Sequence, residues 1–312
     1  MKKLLFVAQV ALFILFNLAL VATLLQFAGT SNPLISFDQQ DNEKRRTEEF
    51  TPSLSRLNTV DKLVEYCDST YYSRFGSASK PDYERNYTEI LSSIIRKRFY
   101  HGYSHYSFSN NYFAVLFSKV TLDGYSAIVI PDDIMKHPNA ACSQQSIVMI
   151  EALHKKGFTT RKIGFKGKKS GHFCLEVYYN GSWHFYDTNM EPDAALLNQY
   201  DRPSVAALAG NHSLLLNAYH NYTGEFITDL FSKYWYGPVN QFPAPRGIIF
   251  QKLSKVFSYS LWLFFLISFI LVRRKLLRYS SSTHVRNNRI YFPQPERETS
   301  AGYYPGITAP GA

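Results

Sequence analysis

Cys142, His172 and Asp187 are residue types that thiolate chemistry uses, and the sequence around each one assigns it a seat. Pro138-Asn139-Ala140-Ala141-Cys142 leads into an apolar face made by Ile147, Val148, Ile150 and Leu153. That spacing predicts a helix over 143–156 with Cys142 in its first turn. Lys155, Lys156 and Gly157 supply a cationic last turn and a glycine stop. At a helix start, unpaired backbone N–H groups and the positive end of the dipole favour a thiolate. Asn139 is placed to cap it.

A basic loop follows (Arg161, Lys162, Lys166, Lys168, Lys169), and then the period changes to two. In His172-Phe173-Cys174-Leu175-Glu176-Val177-Tyr178, the residues Phe173, Leu175 and Val177 share one face. His172, Cys174 and Glu176 share the other. Asn180-Gly181 signals a two-residue hairpin, with Trp183 to Asp187 returning as the partner strand. A turn there pairs Tyr178 with Trp183, Cys174 with Asp187 and His172 with Asn189. Asp187 then lies one diagonal step from His172, about 7–8 Å between backbones and within side-chain reach.

A helix-start Cys, a strand His and an Asp on the next strand are the parts of a thiol nucleophile system. The His takes the thiol proton and returns it to a leaving amine, while the Asp fixes the imidazole tautomer and stabilises its cation. Taken singly, each part has an ordinary structural role: a Cys at a helix start packs as a small apolar residue, and a strand His is most often structural.

Together they resemble a known core. Ala141-Cys142-Ser143-Gln144-Gln145, Gly157 to Arg161, Gly171-His172-Phe173, Glu176-Val177-Tyr178, Gly181, Trp183 and Asp187 are similar to the centre of a transglutaminase-like domain. The similarity is close over 131–192 and loose over 55–130. It implies an α+β papain-like fold, a nucleophile helix plus an antiparallel sheet, with Cys142 as nucleophile, His172 as general base and acid, and Asp187 as orienter. That superfamily includes crosslinkers, peptidases, amidases and non-catalytic relatives. The expected activity is therefore that of a cysteine hydrolase or acyltransferase working through a thioester on envelope peptides or proteins. A non-catalytic scaffold or binding module is the alternative. No cofactor and no metal are expected.

Other residues are candidates for supporting roles. The Cys142 backbone N–H is one expected oxyanion donor, and Asn111, Tyr112 and Tyr106 are candidate side-chain donors. Gln144 and Gln145 share the nucleophile's helix, where surface or packing roles compete. His101 and His105 have i, i+4 spacing, but Gly102 argues against the regular helix that a metal pair needs. Three cysteines cannot all pair: either Cys67 and Cys174 form a disulfide that leaves Cys142 free, or Cys174, on the His172 face, simply lines the cleft. Asn86, Asn180, Asn211 and Asn221 begin N-x-S/T sequons.

The elements that carry this core are bracketed by two apolar runs. Leu4 to Ala28 is interrupted only by Gln9, Asn17, Thr23 and Gln26. It is longer than a secretory h-region and fits an uncleaved signal anchor. Val256 to Val272 ends at Arg273-Arg274-Lys275 and is near the minimum length of a spanning helix. The formal charge of +10 divides into +2 at Lys2-Lys3, +5 from Arg273 onward and about +3 between. Most of the basicity thus flanks apolar segments, which argues against a nucleic-acid partner and for membrane orientation. Both basic flanks belong in the cytoplasm, placing 29–255 outside, tethered to the lipid bilayer and facing a peptide or protein substrate. The expected organisation is an anchor over 1–28, a linker over 29–54, the exported domain over 55–255, a span over 256–272 and a disordered cytoplasmic tail over 273–312. Within the domain, 59–67 and 83–100 read as amphipathic helices. Residues 113–120 and 126–130 are apolar and β-branched or aromatic, with Pro131 stopping the second.

Overall fold

The computed structural model describes residues 2–29, 50–77, 82–121, 124–168 and 171–288. The chain is α+β and divides into two compact units, residues 18–261 and the two chain ends, 1–17 with 262–312. In the unit of chain ends, Phe13 packs on Phe269 at 5.7 Å and Phe16 on Trp262 at 6.5 Å between ring centroids.

Helix α1 (Lys2–Gly29) is the first apolar run. After residues 30–49, which lie outside the described set with most of the expected linker, comes a short 3-10 turn (Pro52–Arg56). Helix α2 (Val60–Phe75) begins where Thr59 accepts a hydrogen bond from the Lys62 N–H at 3.2 Å. It runs eight residues beyond the expected end at Cys67, because Leu63, Cys67 and Tyr71 keep one buried face until Gly76, at φ 81°, stops it. Helix α3 (Tyr83–Arg98) buries Ile90, Leu91, Ile94 and Ile95. Its terminal Arg98 is buried too, donating to the backbone carbonyls of Leu57, Met135 and His137. Burial lowers that guanidinium to about 10.

Strand β1 (Tyr100–His101) precedes helix α4 (Phe108–Thr121). Residues 113–120 are thus helical despite their β-branched and aromatic character, and 126–130 contributes only an isolated bridge from Ala127 to His105. A one-turn helix α5 (Pro131–Ile134) leads to strand β2 (Asn139–Ala140), which pairs parallel with β1. Helix α6 (Cys142–Lys155) follows, and Gly157 at φ 79° ends it.

The main sheet comprises β3 (Thr159–Lys166), β4 (Gly171–Tyr179), β5 (Ser182–Tyr186) and β6 (Tyr234–Tyr236), in the order β5-β4-β3-β6 with antiparallel neighbours. The hairpin turns at Asn180 and Gly181, both at positive φ, and pairs Tyr178 with Trp183 as the spacing predicts. One expectation is corrected: Arg161, Lys162 and Lys166 belong to β3 rather than to a loop. Arg161 lies between the rings of Trp183 and Tyr236, at 4.1 and 3.9 Å, and pairs with the buried Glu176 at 2.6 Å. The charge of Arg161 is thus neutralised within the sheet, while Lys162 donates to the Pro243 carbonyl at 2.8 Å.

The sheet separates two cores. On one side α2, α3 and α6 pack through Leu63, Leu91, Ile95, Val148 and Leu153 against Leu175 and Val177. On the other, Ile163, Phe165, Cys174 and Phe185 meet the short helices α7 (Ala194–Gln199), α8 (Val205–Gly210), α9 (His212–Ala218) and α10 (Gly224–Phe231). The alternation of β4 is what lets one strand serve both.

Helix α11 (Pro245–Asn288) contains the second apolar run and continues past it. Residues 273–288 of the tail expected to be disordered are therefore helical, and 289–312 lie outside the described residues. Both α1 and α11 are long and apolar enough to cross a membrane, and only 6% of either apolar window is buried, unlike a soluble core helix.

Candidate active site

The seat of Cys142 is built by side chains of its own helix. Ala141 occupies the N-cap position, so the expected cap, Asn139, is displaced: it sits in β2 and donates to the Tyr103 carbonyl at 2.8 Å. Gln144 does the capping work from the third helical position. Its Oε1 accepts from the N–H groups of Ala141 (3.1 Å) and Ser104 (2.9 Å), while Nε2 donates to the carbonyls of Ser104 and Ile128, both at 2.8 Å. This is the reciprocal half of a capping box, extended to clamp two neighbouring segments onto the helix start. Gln145 is likewise buried, with Nε2 on the Ala140 carbonyl at 3.0 Å. Both glutamines therefore have packing roles.

One turn further, the Ser146 hydroxyl lies 2.8 Å from the Cys142 carbonyl and 3.1 Å from that of Phe173. It thereby ties the helix start to the strand residue next to His172. Cys142 itself is half-buried, and His172 is the neighbour that acts on its thiol.

His172 and Asp187 meet at 2.8 Å, Nε2 to Oδ2, with both side chains buried. The strand pairing stops at Leu175–Tyr186, one step short of the expected Cys174–Asp187 pair. Past Tyr186 the chain turns. Asp187 Oδ1 then accepts the N–H groups of Asn189 and Met190, both at 3.0 Å, and Oδ2 also accepts the Tyr219 hydroxyl at 2.9 Å. Burial penalises this carboxylate, but His172 and these donors hold it far below the usual carboxylate range. Burial likewise opposes a charged imidazole, yet Asp187 keeps His172 well above its usual value. Burial pushes the Cys142 thiol up, and the bond and charge of His172 outweigh it, leaving the thiol lower than an ordinary cysteine. The trend of all three favours a thiolate–imidazolium pair.

Cys174 shares the cluster. Its sulfur, a His172 ring nitrogen and an Asp187 oxygen lie within 4.8 Å of one another, the one group of metal-ligand residue types so spaced among the described residues. Both Asp187 oxygens are, however, already engaged by hydrogen-bond donors. Cys174 is fully buried, and burial raises its thiol well above the usual range.

The remaining candidates disperse. Cys67 and Cys174 are free thiols in different cores, so of the two alternatives the disulfide does not form. His101 contacts the Asn189 carbonyl and His105 the Ser126 hydroxyl, so the pair does not converge on a metal. Tyr106 donates to Asp133 at 2.6 Å, and Asn111 bonds Ser254 and Ser258; neither is an oxyanion donor. Tyr112 is buried beside Phe108. Among the sequons, Asn180 bonds Asp82 and Asn211 caps α9.

Sequence spacing alone does not find Tyr219 or Ser146. Tyr219 reaches Asp187 from a helix end 32 residues downstream, and no local pattern marks it. Gln144 carries a local signal, a Gln three residues after a helix cap. No family model matches the chain, no curated protein matches it in sequence, and no solved structure matches it in fold.

Proposed function

We propose that the chain is a membrane-tethered thiol enzyme of transglutaminase-like type, with a papain-like core and its catalytic domain outside. The observation that carries this reading is the buried His172–Asp187 pair at 2.8 Å, with both Asp187 oxygens accepting further donors, next to a half-buried Cys142 whose thiol His172 lowers. The order and spacing of the motif residues over 131–192 support it.

In the proposed reaction the Cys142 thiolate adds to an amide or acyl carbonyl. The oxyanion that forms lies by the start of α6, where the first N–H groups have no intrahelical acceptor. His172, held as its cation by Asp187, protonates the departing amine, and the bond from carbon to nitrogen breaks to leave a thioester. Neutral His172 then deprotonates the resolving nucleophile, whose attack releases Cys142. Asp187 stays ionised throughout and fixes the ring.

Hydrolysis is the favoured outcome. Water reaches an exported site at tens of molar, and transfer needs an acceptor groove to compete with it. The deciding experiment incubates the purified full chain with glutamine-containing proteins and peptides plus a labelled primary amine. Ammonia or peptide fragments without label, formed only with Cys142 intact, are the expected result. Label entering protein only with Cys142 intact moves the assignment to acyl transfer. Neither product across a broad panel overturns catalysis in favour of a scaffold.

A further inference from the structure

Helix α4 is out of place in a soluble domain. It has 14 residues, Phe-Ser-Asn-Asn-Tyr-Phe-Ala-Val-Leu-Phe-Ser-Lys-Val-Thr, with Lys119 its one charge. An apolar stretch of about 10–14 residues is either a buried core helix or an interfacial segment. It is not a core helix: only Asn111, Tyr112 and Ala114 are buried. Phe108, Leu116 and Phe117 are exposed, and Val120 is 82% exposed.

Its attachment points to what covers it. The helix kinks at Asn111, whose ψ is 74°. The polar groups near that kink are satisfied by α1 and α11. Asn111 donates to Ser254 at 2.8 Å and accepts from Ser258 at 3.0 Å, and the Phe113 N–H donates to Ser258 at 3.1 Å. Gln26, oriented with its oxygen inward, accepts from the N–H groups of Asn111 and Tyr112, both at 3.3 Å, and Thr23 bonds the Ser258 carbonyl at 3.0 Å. Phe113 packs on Phe257 at 5.3 Å and Phe117 on Phe250 at 5.1 Å. Ser258 and Phe257 lie within the apolar run that begins at Val256. Irregular backbone at membrane depth is tolerated where protein encloses its polar groups, and that is the arrangement at Asn111. The exposed residues of α4 therefore continue the apolar surface of α11 at Leu253, Val256 and Phe257.

We infer that α4 is a third membrane-contacting element, kinked into the leaflet on the catalytic side, with Phe108, Leu116 and Phe117 against lipid acyl chains. Lys119 reaches the headgroups along its own stem. The inference rests on the two-span reading, and its test separates the two. The full chain, carrying Cys142→Ser so that only buried thiols remain, receives one reporter cysteine at Leu116, Phe264 or Tyr178. Each is labelled with an environment-sensitive dye in phosphatidylcholine–phosphatidylglycerol vesicles. Leu116→Cys is expected to give blue-shifted emission that loses most of its intensity to shallow doxyl lipids, as Phe264→Cys does with deep ones. Tyr178→Cys, exposed on β4, stays aqueous and unquenched. Aqueous emission at 116 with quenching at 264 overturns the α4 assignment alone. Absence of quenching at 264 overturns the two-span reading. Blue-shifted emission at 116 that no doxyl lipid quenches overturns lipid contact and assigns the face to a second protein. Equal quenching at 178 traces the signal to the dye and overturns the assignment as well.

Discussion

The chemistry of Cys142 depends on the company of His172. Because the thiol is held below its usual range by the imidazole, iodoacetamide should alkylate Cys142 at pH values where an ordinary cysteine is still protonated. Replacing His172 with Ala removes both the bond and the charge, and the midpoint of the rate–pH profile should rise towards about 8.5 or beyond. Cys67 and Cys174, buried with thiols raised by burial, should react only after unfolding. If Cys142 reacts no faster than those two, and His172→Ala leaves its rate unchanged, the thiolate–imidazolium pair is absent. Tyr219→Phe tests the other end. The hydroxyl favours the charged form of Asp187, so its loss should cost about 1.5–3 kcal/mol in urea unfolding at neutral pH. Since Asp187 is depressed in the folded state, its stabilisation is present above the unfolded value of about 3.9 and disappears as pH falls through the folded one. The penalty of Tyr219→Phe should therefore shrink in acid. A pH-independent loss would assign Tyr219 to packing alone.

At the scale of elements, the site hangs on how α6 and β4 are held together, and the sequence discloses these two unequally well. Helix α6 and the Asn180-Gly181 hairpin were legible because their signals are local: an apolar face of period 3.6, and a turn needing positive φ at both central residues. The extension of α2 and the strand character of β3 were not, because burial by distant partners overrides local charge and propensity there. Arg161 reads as a surface cation until Trp183, Glu176 and Tyr236 enclose it. The helix over 113–120 was hidden for the same reason, its partners being Phe250 and Phe257 far along the chain. Gly164 illustrates such a nonlocal constraint. A Cβ there would come within 2.2 Å of the Trp235 ring, so Gly164→Ala should overpack the β3–β6 contact and cost about 1–3 kcal/mol. Adding Trp235→Ala should recover much of that loss, a coupling expected of neighbours and not of independent sites. Additive penalties in a denaturant double-mutant cycle would show that the ring is not what the methyl meets.

For the whole molecule, orientation decides whether the proposed chemistry has a substrate. Helix α11 has 44 residues, about 66 Å at 1.5 Å per residue, roughly twice the hydrocarbon thickness of a bilayer. Its apolar stretch has lysines on one side and an arginine cluster on the other. The lysine side is partly neutralised: Lys255 pairs with Asp133, which also accepts Lys136 at 3.0 Å and Tyr106 at 2.6 Å. Arg273, Arg274, Lys275 and Arg278 face no comparable run of acidic residues in sequence, so the positive-inside preference favours this end in the cytoplasm. The same preference applied to Lys2 and Lys3 favours that side for the start of α1, which would put the loop between the spans outside. In the Cys142→Ser background, an impermeant maleimide should therefore label Tyr178→Cys in intact cells, and Ser300→Cys only after lysis. The opposite pattern would place Cys142 in the cytoplasm. The alkylation and product assays need no membrane sidedness, so the thiol chemistry would stand under that outcome, but an exported envelope substrate would not. Labelling of both sites in intact cells would leave one span rather than two. The interaction of α4 with α1 and α11 would then have to form without a second crossing.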